Sequence, residues 1–304
     1  MRLSAIMLTA STIVLTAAAA VAQKAPAPEF TGSTGARAGV TAPVRGCANP
    51  NALGTARVVQ VDTTGGPGFG FEHFKMHDFL QPGEIVLTFD DGPWLNTTPA
   101  VLKALAEHCV KATFFPIGKH STYYPDILKQ VAAQGHTVGS HTWSHANLSK
   151  LGAQEGKDEI EKGFSAVKFA LGAQPAPFFR FPTLSHPAEM VTYLAERNVA
   201  MFSTDLDSFD FRTRKTDKMI EGVMNKLKKH GKGIVLMHDF QQVTAHGMTE
   251  LLNQLAAGGY KVVHMKAKDP LATIAEYDAA IVKDLKLPTT SGRPTASVIK
   301  TISE

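Results

Sequence analysis

An α/β fold, a distorted and incomplete barrel of about seven parallel strands, is what this 304-residue sequence predicts. Two observations carry the prediction. Short apolar runs alternate with stretches of helical periodicity over most of the chain, and that alternation calls for parallel pairing. Uncommon polar residues also recur where those runs end. Asp90 and Asp91 follow the first run, His141 follows the third, Arg180 closes the fourth, Asp205 and Asp207 follow the fifth, and His238 closes the sixth. An open doubly wound sheet satisfies the alternation too, but it gathers its site at one switch point. Residues drawn from the carboxyl ends of several strands favour the barrel.

Taken in order, the strand-like runs lie at 84–90, 111–117, 136–140, 177–181, 199–204, 233–238 and 260–265. Helix-like stretches fall between them at 97–109, 122–134, 155–172, 187–197, 215–230 and 244–257. The first shows the spacing Val101, Leu102, Leu105, Cys109, and the fifth shows Ile220, Val223, Met224, Leu227. Lys226 to His230 is the densest basic run and reads as a last helical turn, where cations complement the helix dipole. Before the first run, residues 23 to about 55 are rich in Ala, Pro, Gly and Thr and lack periodicity, as a flexible leader would. The glycine-dense stretch 63–71 lacks the Lys-Ser/Thr ending of a phosphate loop and reads as a loop wrapping onto the domain.

The ends and composition narrow the class. Arg2, an apolar run from about Ile6 to Leu15 and the small-x-small pattern Ala20-Val21-Ala22 mark residues 1–22 as a secretory signal peptide, too short for a stable membrane span. Its removal changes the formal charge from +4 to +3, too little to imply nucleic acid, and no basic cluster with interleaved aromatics appears. An exported protein, periplasmic or secreted, is expected, with no stable membrane insertion after cleavage. The 44% hydrophobic content suffices for one sizeable core, over 81–268, preceded by the leader and an N-terminal extension at 23–80 and followed by a C-terminal helix and flexible tail at 269–304. Cys47 and Cys109 either pair in that oxidising compartment or leave Cys109 as a buried small hydrophobe; sequence leaves both open, together with the oligomeric state.

The chemistry concentrates in a few stretches. Thr88-Phe89-Asp90-Asp91-Gly92-Pro93 places two carboxylates where a buried strand meets a turn, and neighbouring anions raise each other's pKa unless a cation or donors compensate. His141-Thr142-Trp143-Ser144-His145 sets two imidazoles four residues apart, which on a helical turn share one face. One Asp with two His makes a three-ligand site with open positions, as a catalytic divalent metal needs. His73 and His77 share the spacing without a carboxylate pair to complete them. Trp94 and Trp143 adjoin these motifs, either as flat surfaces for a sugar ring or as ordinary packing.

These stretches, with Arg180-Phe181-Pro182, Asp207-Ser208-Phe209-Asp210-Phe211 and Leu236-Met237-His238 in the same order, resemble the motifs of the polysaccharide deacetylases of carbohydrate esterase family 4, the nodulation protein B homology group. The resemblance covers about residues 84 to 265 and implies a TIM-barrel-like catalytic domain over 81–268. It implies that Asp91, His141 and His145 hold a divalent metal, zinc foremost, with cobalt and other ions used by related enzymes. Asp90 would be the general base, ionised because a cation lowers its pKa, with Arg180 orienting it. His238 would be the acid that protonates the departing amine, kept charged by Asp210. The Thr183 backbone N–H would face the oxyanion, and Leu236 would line the pocket for the acetyl methyl.

Thr183 stands where many relatives have Tyr, and Phe211 where they have Trp, which bears on sugar stacking and substrate choice. The implied reaction is metal-dependent removal of N-acetyl groups from an amino-sugar polymer or oligomer (chitooligosaccharide, peptidoglycan or exopolysaccharide), with an acetylated glycan as the partner. A glycosidase using Asp90 or Asp91 with Asp207 leaves the His pair and Arg180 without roles. A silent saccharide-binding protein has no use for both a base and an acid. Asp205 reads as a loop carboxylate or a substrate contact.

Overall fold

The structure is a computed structural model and describes residues 47–285. The expected signal peptide, most of the leader and the end of the tail lie outside the described residues. The central strand is β3, Glu84–Asp90, and all seven of its residues are buried, as a continuous apolar run demands of a strand flanked on both sides. One edge pairs along its length with β9, Gly233–His238, so that Asp90 stands beside His238. The other edge forks. Its first residues meet β10, Lys261–Ala267, and its last three meet β4, Thr113–Phe115.

β4 pairs in turn with β5, Thr137–Val138, and β10 with β1, Thr55–Val61, an edge strand whose residues alternate between half-buried and exposed. A second sheet holds β6, Phe178–Arg180, β7, Ala200–Phe202, and β2, Gly68–Phe69. All these pairings are parallel. The sheets meet at a single bridge between Ser140 and Phe179. They meet again where the chain leaves β7 and, through Ser203 to Asp205 with no helix between, enters β8, Leu206–Asp207, which pairs with β9. The path β3, β4, β5, β6, β7, then β8, β9 and back to β3 traces the expected distorted, incomplete barrel, joined between β5 and β6 by one bridge and left unpaired between β7 and β8.

The helices are α1 (Thr98–Glu107), α2 (Gly118–Tyr123), α3 (Pro125–Ala133), α4 (Ala153–Leu171), α5 (Ala188–Glu196), α6 (Thr216–His230), α7 (Gln242–Ala257) and α8 (Ala275–Leu285). The expected helix over 122–134 is two. Pro125 opens the second, and proline disfavours a helical conformation in the residue before it, so Tyr124 breaks the run. The 63–71 loop contains β2, and the strand expected at 199–204 ends at Phe202. Lys228, Lys229 and His230 occupy the last turn of α6.

Packing follows strand periodicity. Ile85, Leu87 and Phe89 of β3 and Val235 and Met237 of β9 face outward into a core with α1, α6 and α7. Val86, Phe115, Phe178, Phe202, Ile234 and Met265 fill the interior. A disulfide joins Cys47 to Cys109, whose Cα atoms lie 6.0 Å apart, and ties the segment before β1 to the end of α1.

Candidate active site

The same alternation decides which polar side chains enter the barrel. With 85, 87 and 89 turned outward, Thr88 and Asp90 turn in; with 235 and 237 outward, Leu236 and His238 turn in; with Phe179 outward, Arg180 turns in. They meet above the apolar interior, in a cavity of about 620 Å³ lined by Asp90, Asp91, His141, His145, Leu236 and His238 together with Thr183, Leu184, Asp207 and Phe211.

Arg180 is fully buried, stacks over the Phe115 ring at 4.6 Å and is engaged on both arms. Nη1 donates to Asp90 Oδ1 at 2.8 Å and to Thr88 Oγ1 at 2.7 Å, and Nη2 donates to the Ser203 carbonyl at 2.8 Å. A planar guanidinium suits three acceptors at fixed angles. Burial pushes the Asp90 carboxyl above its ordinary pKa, against the pull of Arg180, His238 and His145. The sequence reading expects a cation to lower this pKa; among the protein's own groups, burial prevails.

Asp91 Oδ1 lies 3.5 Å from Nε2 of both His141 and His145. The His141–His145 stretch is irregular rather than helical: Thr142 (φ 68°) and His145 (φ 61°) are left-handed, and two such kinks bring the imidazoles to one side, with ring centroids 4.9 Å apart. Asp91 itself has φ 73°. Such backbone costs of order 1–3 kcal/mol per residue and clusters where function fixes a geometry. His141 Nδ1 lies 2.7 Å from the Arg180 carbonyl, so Nδ1 carries the proton and Nε2 offers its lone pair to the cavity. Burial drives the His141 pKa down to about 3, despite Asp91, and holds the ring neutral.

Asp91 Oδ1 is buried and accepts no hydrogen bond. An orphaned anionic oxygen facing imidazole nitrogens fits a cation: bonds of about 2.0 Å at tetrahedral angles set donors roughly 3.3 Å apart. The trio is the one cluster of this kind among the described residues. His73 and His77 do not converge. His73 Nδ1 meets Ser203 Oγ at 2.7 Å, and the His77 ring packs 5.5 Å from Phe69.

On the opposite flank, His238 Nδ1 lies 2.6 Å from Asp210 Oδ1, while Asp210 Oδ2 accepts from His238 N and Thr244 Oγ1. Burial alone would lower the His238 pKa, but the Asp210 hydrogen bond and charge, with Asp91 and Asp90, raise it to about 9. His238 Nε2 lies 3.9 Å from Asp91 Oδ2. The Phe211 ring meets His238 edge-on at 5.5 Å and is 49% exposed, leaving surface for a ligand. Thr183 has φ 56° and Leu184 φ 53°, which turns that loop over the cavity.

Asp207 lines the cavity and accepts from Phe209 N at 2.8 Å, whereas Asp205 is structural, accepting from Phe71 N and Ile234 N. Sequence reasoning missed Asp239, buried behind the Asp91–Gly92 turn, where it accepts from Gly92 N and Thr98 Oγ1. Burial, with Asp91 adding to it, pushes its pKa up to about 7. Its position directly after His238 was the available signal. His120, whose Nδ1 donates to the Asp91 carbonyl at 2.6 Å, had none, nor had Glu72; His73, singled out only for its spacing from His77, reaches the cavity beside Glu72, just after the glycine-dense segment.

A family model for polysaccharide deacetylases matches residues 80–202. The chain is 30% identical over 155 residues to a chitooligosaccharide deacetylase of Azorhizobium caulinodans, covering 51% of this chain and 73% of that protein. It is 31% identical over 172 residues to a peptidoglycan-N-acetylglucosamine deacetylase of Bacillus cereus, covering 57% of this chain and 62%, under two thirds, of that one. The solved peptidoglycan deacetylase of Bdellovibrio bacteriovorus superposes with a TM-score of 0.66 at 33% identity, over 73% of this chain and 62% of that chain.

Proposed function

We propose, from the premise that this chain belongs to the polysaccharide deacetylase family, that it hydrolyses N-acetyl groups on an amino-sugar glycan and releases acetate. The observation that carries the reading is the orphaned Asp91 Oδ1 facing His141 and His145 between two differently tuned groups, Asp90 and His238. Peptidoglycan or a chitooligosaccharide is the substrate class, by the names of the relatives.

Asp91, His141 and His145 would hold a divalent ion, zinc foremost. Such an ion supplies Lewis-acid chemistry, acidifying water and polarising an amide carbonyl. Asp90, clamped by Arg180, accepts the proton of the attacking water through its free oxygen, since Oδ1 is taken by Nη1. His238 enters charged and donates its Nε2 proton to the departing nitrogen, an amine too poor a leaving group otherwise, while Asp210 keeps Nδ1 protonated and the ring in place. The Thr183 backbone N–H faces the oxyanion and Leu236 the acetyl methyl. A glycosidase reading finds less support, because a pair of carboxylates leaves the convergence of His141 and His145 on Asp91 without a role. The disulfide supports an oxidising compartment and, with residues 1–22, export.

Acetate release from acetylated chitooligosaccharides and peptidoglycan is expected to vanish with chelator and return with zinc or cobalt. Turnover indifferent to chelator, or an Asp91→Ala/His141→Ala protein as active as the parent, would sink the reading.

A further inference from the structure

Arg57, Arg180 and Arg197 each hold a carboxylate, at 2.7 Å on Glu84, 2.8 Å on Asp90 and 2.8 Å on Glu161. Arg212 holds none. It is exposed on the wall of the candidate catalytic cavity, and among the described residues its guanidinium forms neither a hydrogen bond nor an ion pair. It lies instead over two phenyl rings, 4.2 Å from the Phe209 centroid and 5.2 Å from that of Phe211. An exposed arginine ordinarily extends into water; two ring faces hold this one against the cavity, with its N–H groups unspent.

A second cation shares the Phe209 ring. Lys226 Nζ lies 3.9 Å from its centroid and donates to the Asp207 carbonyl, a neutral acceptor, at 2.5 Å. Two like charges on one ring repel, and among the described residues no acid pairs with either: the Asp207 carboxylate serves Phe209 N, and Glu72, also on the cavity wall, forms an ion pair with neither. Both cations are thus short of an anion. The Phe211 ring stands against Arg212 on one side and, at 5.5 Å, against the His238 imidazole on the other, so an anion taken by Arg212 lies beside the sugar that loses acetate and not on it.

We propose that Arg212, backed by Lys226, reads a carboxylate on the sugar next to the one being deacetylated, so that the protein prefers a glycan with acidic side arms, such as the free lactyl arm of a peptide-free muramic acid, to a neutral chitooligosaccharide. The inference rests on the deacetylase reading and names the substrate class within it. A planar carboxylate takes two parallel N–H bonds from a guanidinium, and such charge-assisted pairs are the stronger ones. Because the rings already hold the side chain, little freedom is lost on binding. A neutral sugar offers only hydroxyls and leaves both charges uncompensated.

The test measures kcat/KM for acetate release from a tetrasaccharide of alternating N-acetylglucosamine and N-acetylmuramic acid, with its lactyl groups as free acids or as primary amides, by the parent, Arg212→Gln and Arg212→Lys. The parent is expected to favour the acid over the amide about tenfold, through KM, and added salt to shrink that ratio. Arg212→Gln is expected to bring the ratio close to one and Arg212→Lys to keep part of it, since lysine retains the charge without the fork. A purely structural role for Arg212 would lower both rates and leave the ratio standing. A parent that treats acid and amide alike, or an Arg212→Gln protein that keeps the parent's ratio, would overturn the assignment. No acetate from either substrate would defeat the deacetylase reading instead, and calorimetric titration of the two tetrasaccharides then decides Arg212 by itself: tighter binding of the acid by the parent but not by Arg212→Gln supports it, and equal binding rejects it.

Discussion

His238 and Asp210 show how one hydrogen bond sets a working pH. Burial pulls the imidazole pKa below its ordinary 6.5, yet the 2.6 Å contact and the Asp210 charge carry it to about 9. A raised value means that the charged form is favoured in the fold: the stabilisation is full below 6.5 and is lost as pH rises through about 9. Activity that needs His238 protonated is therefore expected to fall along an alkaline limb above the ordinary imidazole range, and Asp210→Asn to move that limb downward with a loss of about 100-fold in kcat. A pH–rate profile of acetate release in both proteins checks this; an unmoved limb would assign it elsewhere. Arg180→Lys keeps a charge but leaves acceptors among Asp90, Thr88 and Ser203 unserved. It is expected to cost about 3 kcal/mol in urea unfolding and at least roughly 100-fold in kcat/KM. Residue types at strand ends were legible because chemistry marks them: Asp90, Asp91, His141, His145, Leu236 and His238 line one cavity, and Arg180 and Asp210 bond to two of them, whereas Asp205 turns away to backbone partners. Asp239 and His120 were not, because each acts through the backbone of the ligand loop, and the sequence gives no sign of a contact between residues 120 and 91.

Elements long enough to show a period were read nearly to their ends, β3 and β9 to the residue. β8 has two residues and no period to detect, and β1 is an edge strand following a stretch whose composition resembles a linker. The imidazole pair was given the right side for the wrong reason. Four-residue spacing suggested a helix, but left-handed residues at 142 and 145 do the work, and nothing in Thr142 or His145 announces φ above zero. The ligand loop depends on such tight geometry. A methyl at Gly92 would fall on the Asp239 carboxylate, which already serves Gly92 N and Thr98. Gly92→Ala is expected to weaken zinc affinity about tenfold while leaving far-UV dichroism unchanged, as read by competition with a chromogenic chelator. Unchanged affinity would show that the loop tolerates the displacement.

Across the molecule, catalytic ends and structural ends separate. The disulfide lies before β4 begins, at the amino-terminal side of the strands, away from Asp90. Closing 62 residues restricts the unfolded chain by about 4 kcal/mol. Cys47→Ser/Cys109→Ser is expected to lose about that much in guanidinium unfolding with kcat at 25 °C intact, and a fall in kcat would show that the two ends communicate. The two sheets differ from this arrangement, for they meet at the Ser140–Phe179 bridge and at the β7–β8 crossing and are joined also through the Arg180 side chain, whose acceptors lie on β3 and in that crossing. The same guanidinium thus rivets the architecture and, in the proposed reaction, would align Asp90. Mutational libraries should register that double duty: at position 180, variants rejected by an activity screen and variants rejected by a solubility screen will be the same set, whereas at position 238 they will part company.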